Sequence, residues 1–385
     1  MAKAKALSAL IAILFIAIGS AARAGGVRPE AVAVGLEHPW AVAFLPRGRF
    51  LVTERPGRMR VIEADGRVNA PIAGVPKVAA TGQGGLHDLL LDSDFAHDRL
   101  LYFCYAEPAA PAESGGASGT ALARARLSDD RTRLEDVRVI FRQQPKVVGT
   151  LQFGCRIALG EKDGRPDGTL FLALGDRFTR AQDAQTLDND IGKIVRVAKD
   201  GSIPADNPFV GRPGALPEIW SYGHRNPQGL TFAPGGTLWE HEHGPQGGDE
   251  INLIRPGRNY GWPVITYGEQ YGGGKIGEGI TAKAGMEQPL HYWTPSIAPS
   301  GMSFLTSHRY GSGWRGNLFV GSLKFRFLDR IELAEPFNGN VVREYRLLTD
   351  LGERIRDVRQ GPDGLLYVLT DERNGRLIRL VPQPD

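Results

Sequence analysis

The chain has 385 residues, a formal charge of +3 and two cysteines. Lys3, Lys5 and Arg23 account for all of that charge and lie in the first 24 residues, where there is no acid, so the remainder is neutral. A neutral chain without blocks of like charge carries no nucleic-acid footprint, and its length allows two average domains or one large β domain.

In chain order, Lys3 and Lys5 precede an apolar run from Ala6 to Ile18, followed by the small-residue site Ala22-Arg23-Ala24. That run is shorter than the ~20 apolar residues a bilayer span needs. Residues 1–24 therefore read as a secretory signal peptide, and residues 25–385 as an exported chain, periplasmic or secreted. No later segment is apolar enough to span a membrane.

From Trp40 onward one phrase recurs six times: an apolar strand, a Gly or Asp-Gly turn, and a second apolar strand ending in an acid or small residue. It occupies 40–54 (WAVAFLPRGRFLVTE), 85–105, 155–176 (CRIALGEKDGRPDGTLFLALGD), 228–242 (QGLTFAPGGTLWEHE), 301–322 and 356–372. A further apolar segment usually follows, such as RMRVIEA or GRLIRLV. Short alternating strands with regular turn signals mean a sandwich, a barrel or a propeller. Six copies of about 60 residues match four-stranded blades with their loops. The expected fold is all-β, a single six-bladed β-propeller domain over residues 25–385. VRPEAVAVGL (27–36) is placed to close the ring with the last blade. The Ala/Pro/Gly/Ser-rich stretch 106–119 reads as a solvent loop.

Cys104 and Cys155 both lie in strand-like text. In an oxidising compartment they could pair, or remain two buried thiols that never meet.

HEHGPQGGDEINLI (241–254) has the look of a metal site. Zinc would want several His or Cys ligands in tetrahedral order, and no third nitrogen or sulfur follows His241 and His243. Calcium wants six to eight oxygens, backbone carbonyls among them, and a glycine-rich turn with carboxylates supplies those. A plain acidic turn between strands is the bland alternative.

GQGGLHDLLLD (82–92), SYGHRNPQGL (221–230), EHGPQGGDEIN (242–252), NYGWP (259–263), SLK (322–324) and ERIRDVRQGPDGLLYVLTDE (353–372) together resemble the soluble quinoprotein aldose sugar dehydrogenases of the glucose/sorbosone dehydrogenase family. The resemblance runs from about Leu36 to Val381. It implies a six-bladed propeller that uses pyrroloquinoline quinone (PQQ) and calcium to oxidise the C1 hydroxyl of aldose sugars to a lactone. Electrons would pass on to an external acceptor. On the matching positions it implies PQQ contacts from Gln83, Arg225, Asn226, Tyr271, Lys324, Arg354 and Arg356. It implies that the carbonyls of Gly244 and Pro245 touch a calcium beside the cofactor, and that Glu250 and Tyr260 belong to a second, structural calcium site. The chemistry agrees, since lysine and arginine pair with the carboxylates of PQQ, arginine bidentately. A homodimer is open to this chain but rests on no visible feature of the sequence.

One position departs from the pattern. The family's proton acceptor is a histidine, and GTLQFGCR (149–156) puts Gln152 there. None of the eight histidines lies between 98 and 223, so no slip of alignment supplies one. A glutamine amide is no base near neutral pH. Three readings follow. His87, His224 or Asp176 takes the proton; Gln152 only orients the substrate; or the propeller binds PQQ or sugar without turnover. A calcium-dependent lactonase on a similar propeller is a further alternative.

Overall fold

The computed structural model describes residues 26–110 and 115–383; the leader expected over residues 1–24 lies outside them. The regular secondary structure described is almost all strand, in six antiparallel sheets arranged as blades. The first blade holds β2 (Pro39–Leu45), β3 (Arg49–Glu54), β4 (Arg58–Ile62) and β5 (Val68–Pro71). The second holds β6 (Leu86–Leu91), β7 (Leu100–Pro108), β8 (Ala117–Leu127) and β10 (Val147–Val148), with β9 (Leu134–Arg142) also on β8. The third runs through β11 (Gly154–Lys162), β12 (Arg165–Leu174), β13 (Lys193–Ala198) and β14 (Ile219–Tyr222). The fourth contains β15 (Pro227–Phe232), β16 (Leu238–Glu242), β17 (Asp249–Ile254) and β18 (His291–Trp293). The fifth contains β19 (Pro299–Phe304), β20 (Leu318–Ser322), β21 (Leu328–Glu335) and β22 (Asn338–Leu347).

The last blade takes β23 (Ile355–Gln360), β24 (Leu366–Thr370) and β25 (Gly375–Pro382) from the C-terminal end, and β1 (Val27–Leu36) from the other end of the chain. β1 pairs antiparallel with β25, Val27 opposite Pro382, so the ring closes as its sequence position suggested. Among the described residues no helix is long and apolar enough to cross a membrane.

The 106–119 stretch corrects the sequence reading. Its two flanks are the paired ends of β7 and β8, Ala106 opposite Thr120 and Pro108 opposite Ser118. Ala106, Ser118 and Thr120 are buried there, which outweighs the turn-like composition.

Apolar side chains fill the gaps between blades. Leu86, Leu89, Phe103 and Tyr105 pack against Trp40, Leu51 and Met59 of the first blade. Tyr102 and Leu122 meet Ile157, Leu172 and Val195 across the second and third. The Cys104–Cys155 disulfide, with Cα atoms 5.8 Å apart, joins β7 to β11 across the same gap.

The innermost strands carry a buried charge quartet. Asp88 of β6 pairs with Arg359 of β23 at 2.6 Å and with Arg156 of β11 at 3.3 Å, and Asp357 of β23 pairs with the same two arginines at 3.1 and 3.0 Å. Two acids and two bases neutralise one another, so the second, third and last blades are tied together at the axis. Burial lowers Arg156, while Asp357 and Asp88 outweigh burial at Arg359 and raise it.

Candidate active site

The starts of the inner strands and the ends of the second strands come together at one mouth. Trp40, His87, Phe153, Asn226, Ala298 and Arg356 come from or just before the first strands. Arg55, His243, Lys324 and Asp371 follow the second strands. Together they line a cavity of about 960 Å³. Such a volume lies at the upper end of the range for small-molecule sites.

Gln83, Asn226, Tyr271, Lys324, Arg354 and Arg356 all reach this cavity, as do Gly244 and Pro245. Arg225 stands behind its wall. Its guanidinium donates to the carbonyls of His243 and Gly244 at 2.9 and 2.8 Å and faces Trp262, with the ring centroid 5.2 Å away. It lines two smaller hollows instead.

The cavity's charge is cationic but partly answered. Arg356 pairs with Asp371 at 2.6 Å, and the more exposed Arg354 approaches the same carboxylate at 3.5 Å. Burial would raise Asp371, but Arg356 outweighs it, and the carboxyl is held well below its usual range. Lys324 makes no ion pair among the described residues. The Nε atoms of Arg55, Arg225 and Arg356 are buried without partners. His87 and His243 are each held neutral, pushed by burial down to about 3. Net positive charge, unsatisfied guanidinium donors and a floor on Trp40, over which Arg156 sits at 4.2 Å, suit a planar polyanion. Arg55 and Asp371 were not singled out from the sequence; each follows a second strand, the one regularity that marks them.

Gln152 lies beside this cavity in a hollow of about 290 Å³, with Asp176, Arg225, Trp262 and Tyr271. Its backbone has φ 53°, and its N–H donates to the Gln83 side chain at 2.8 Å. Its own amide oxygen is buried without a partner. Gly175 permits this arrangement, because a Cβ there would stand 2.1 Å from the Gln152 carbonyl.

Arg177 clamps the loop that carries Gln152. It donates to the carbonyls of Leu151, Gly149 and Ser118 at 3.1, 2.8 and 2.7 Å and stacks 3.7 Å over Phe153. Arg177→Met is expected to cost about 2 kcal/mol in urea unfolding, because water can replace the guanidinium at the rim carbonyls but not at buried Ser118. Cleavage between 149 and 153 under limited proteolysis should quicken in the same variant.

The turn after β16 holds a second centre. Gly244 has no room for a side chain, since a Cβ would stand 2.2 Å from the Gly247 carbonyl. Asp249 fixes the turn, accepting from the Gly244, Ile297 and Ala298 N–H groups at 2.9, 2.8 and 3.0 Å. Glu250 and Tyr260 meet in a narrow crevice together with Glu242. The β16–β17 register sets Glu242 opposite Glu250 and Glu240 opposite Asn252. Glu240, Glu242 and His224 offer ligand atoms within 4.8 Å of one another. Burial and the Glu242 charge push Glu240 and Glu250 well above the ordinary carboxylate range. An oxygen of Glu240 and Nδ1 of His224 lack partners. Clustered buried carboxylates of this kind fit a hard cation. The Tyr260 hydroxyl donates to the Leu253 carbonyl at 2.6 Å, which leaves its backbone oxygen for such a role. Glu240 is not legible in the sequence, because alternation alone does not show that both faces of β16 are covered.

Residues 36–379 match the Glucose / Sorbosone dehydrogenase family. The chain belongs to that family. It is 47% identical to aldose sugar dehydrogenase YliI of Escherichia coli over 93% of each protein. The apo crystal structure of the soluble aldose sugar dehydrogenase from Escherichia coli superposes with a TM-score of 0.86 at 45% identity, covering 93% of this chain and 100% of that one. The PQQ-bound form of aldose sugar dehydrogenase from Streptomyces coelicolor matches with a TM-score of 0.72 at 29% identity, covering 93% and 98%. The likeness to this family thus extends over the whole six-bladed ring.

Proposed function

We propose that the chain is an exported, PQQ- and calcium-dependent dehydrogenase that oxidises the C1 hydroxyl of aldose sugars to the lactone. The observation that carries this reading is the cavity where Lys324, Arg354, Arg356 and Arg55 converge in a member of a sugar dehydrogenase family. PQQ, when bound, supplies a two-electron oxidant, and calcium beside it supplies Lewis acidity. Lys324, Arg354 and Arg356 would hold the cofactor's carboxylates, with Gln83, Asn226 and Tyr271 as polar neighbours. The carbonyls of Gly244 and Pro245 would face the nearer cation, and Arg225 would fix that turn. Glu250 and the Tyr260 carbonyl would hold a structural cation. The smaller hollow beside Gln152 is left for the sugar. A neutral lactone would leave the cavity's cations without a counter-charge, which disfavours a lactonase.

The test is reconstitution of purified protein with PQQ and calcium, followed by dye reduction across an aldose panel. Reduction that needs both additions is the expected result. A protein whose tryptophan fluorescence and thermal midpoint ignore PQQ would remove the cofactor from the proposal.

A further inference from the structure

We propose that Asp176, not residue 152, takes the proton from the substrate hydroxyl in this chain. The inference rests on the dehydrogenase reading above and concerns the base alone. Gln152 and Asp176 share the 290 Å³ hollow, whose wall also includes Arg225, Pro245 and Tyr271. Pro245 and Tyr271 line the large cavity too, so the two spaces adjoin.

Backbone bonds fix Asp176 between Arg225 and the loop that carries Gln152. Its N–H donates to the Arg225 carbonyl at 2.7 Å, and the next N–H, of Arg177, donates to the Gln152 carbonyl at 3.2 Å. Its carboxylate is oriented from both oxygens, by the Trp262 indole at 2.8 Å and the Phe178 N–H at 2.8 Å. Each oxygen keeps a lone pair for a further donor.

The other candidates are worse placed. His87 donates its Nε2 hydrogen to the Gln83 carbonyl at 3.0 Å and packs between Trp40 and Phe153. His224 stacks on Tyr260, is bonded to Ser221, and lines neither space, whereas Asp176, equally buried, lines the hollow. Asp176 also has the right basicity. Burial raises it, against the pull of Arg225, the Phe178 N–H and Trp262, to about 6. Arg225, Arg177 and Glu242 are the charged groups around it. A base poised near the working pH is the efficient one.

The step balances. The C1 hydroxyl gives its proton to the Asp176 carboxylate. The C1 hydrogen leaves with its electron pair to the ortho-quinone oxidant, and the C1–O bond becomes the lactone carbonyl. Two hydrogens and two electrons leave the sugar, and the acid later returns its proton to water. Gln152 would then line the sugar's hollow without taking the proton.

Asp176→Asn should lower kcat by about 10²–10⁴-fold. PQQ affinity, read from cofactor-dependent fluorescence quenching, should stay within threefold. In cofactor-free protein, indole fluorescence should titrate with a midpoint near 6, and that transition should vanish in both Asp176→Asn and Trp262→Phe. Gln152→His in the Asp176→Asn background should recover at least tenfold of the lost kcat, which a purely structural role for Asp176 would not allow. Full activity in a folded Asp176→Asn variant overturns the proposal, as does the absence of the fluorescence transition. Wild-type protein that binds no PQQ removes the dehydrogenase reading and this base with it. Wild-type protein that binds PQQ but turns over no sugar overturns the base assignment and leaves the cofactor site standing.

Discussion

Arg356→Leu is expected to weaken PQQ binding by roughly 30- to 4,000-fold, the range that follows from breaking a buried charged pair at about 2–5 kcal/mol. Two effects add. The cofactor loses a guanidinium, and Asp371, held ionised mainly by Arg356, is left facing a tricarboxylate. Arg354→Leu should cost far less, because that side chain is 40% exposed and only 3.5 Å from Asp371, so water and salt already screen it. Arg356→Lys should fall between, keeping the charge but not the planar fork. Titrating cofactor-free protein with PQQ, with Trp40 in the cavity as the reporter, measures all three. Equal losses for Arg354→Leu and Arg356→Leu would mean that long-range charge, not the buried pair, holds the cofactor.

The contrast between these arginines shows where sequence reading ends. Both stand in one motif, two residues apart, and both reach the cavity and Asp371, although Arg354 precedes β23 and the strand's register shifts at Arg356. Nothing local says that Arg356 is buried and Arg354 is not. The ring was legible because each blade repeats a local pattern, and β1 was legible because one strand was left over at the start. What escaped depends on partners far apart in sequence. His38 bonds Asp371 across 333 residues, and Arg359 reaches Asp88 across 271. A charged residue that ends up paired in the channel reads, in a one-dimensional string, like any surface charge. Asp176 was legible as a candidate at the end of a strand. Its place beside Gln152 was not, because it depends on Gly175 letting two loops touch.

Calcium is expected to change the sign of a substitution. At 100–1,000 times its Kd a cation bound only by the folded state adds about 2.7–4.1 kcal/mol, which for a chain of this size is roughly 4–5 °C in thermal midpoint. The β16–β17 crevice explains why removal should be felt so strongly. Burial and the charge of Glu242 hold Glu240 and Glu250 above their unfolded values. A carboxyl raised in this way contributes stability at low pH and loses it as pH rises through the folded value. Chelated protein should therefore weaken as pH climbs past the ordinary carboxylate range. Calcium-loaded protein should not, since the metal compensates the ionised groups. Glu242→Gln keeps an oxygen to accept the Arg225 N–H but removes the central charge. In chelator it should raise the midpoint by relieving repulsion; in calcium it should lower the midpoint, because a ligand has been lost. Differential scanning calorimetry at pH 5.5 and 8, with and without calcium, reads both signs. A Glu242→Gln midpoint that shifts the same way in calcium and in chelator would mean that the carboxylates are stabilised by protonation alone and hold no ion.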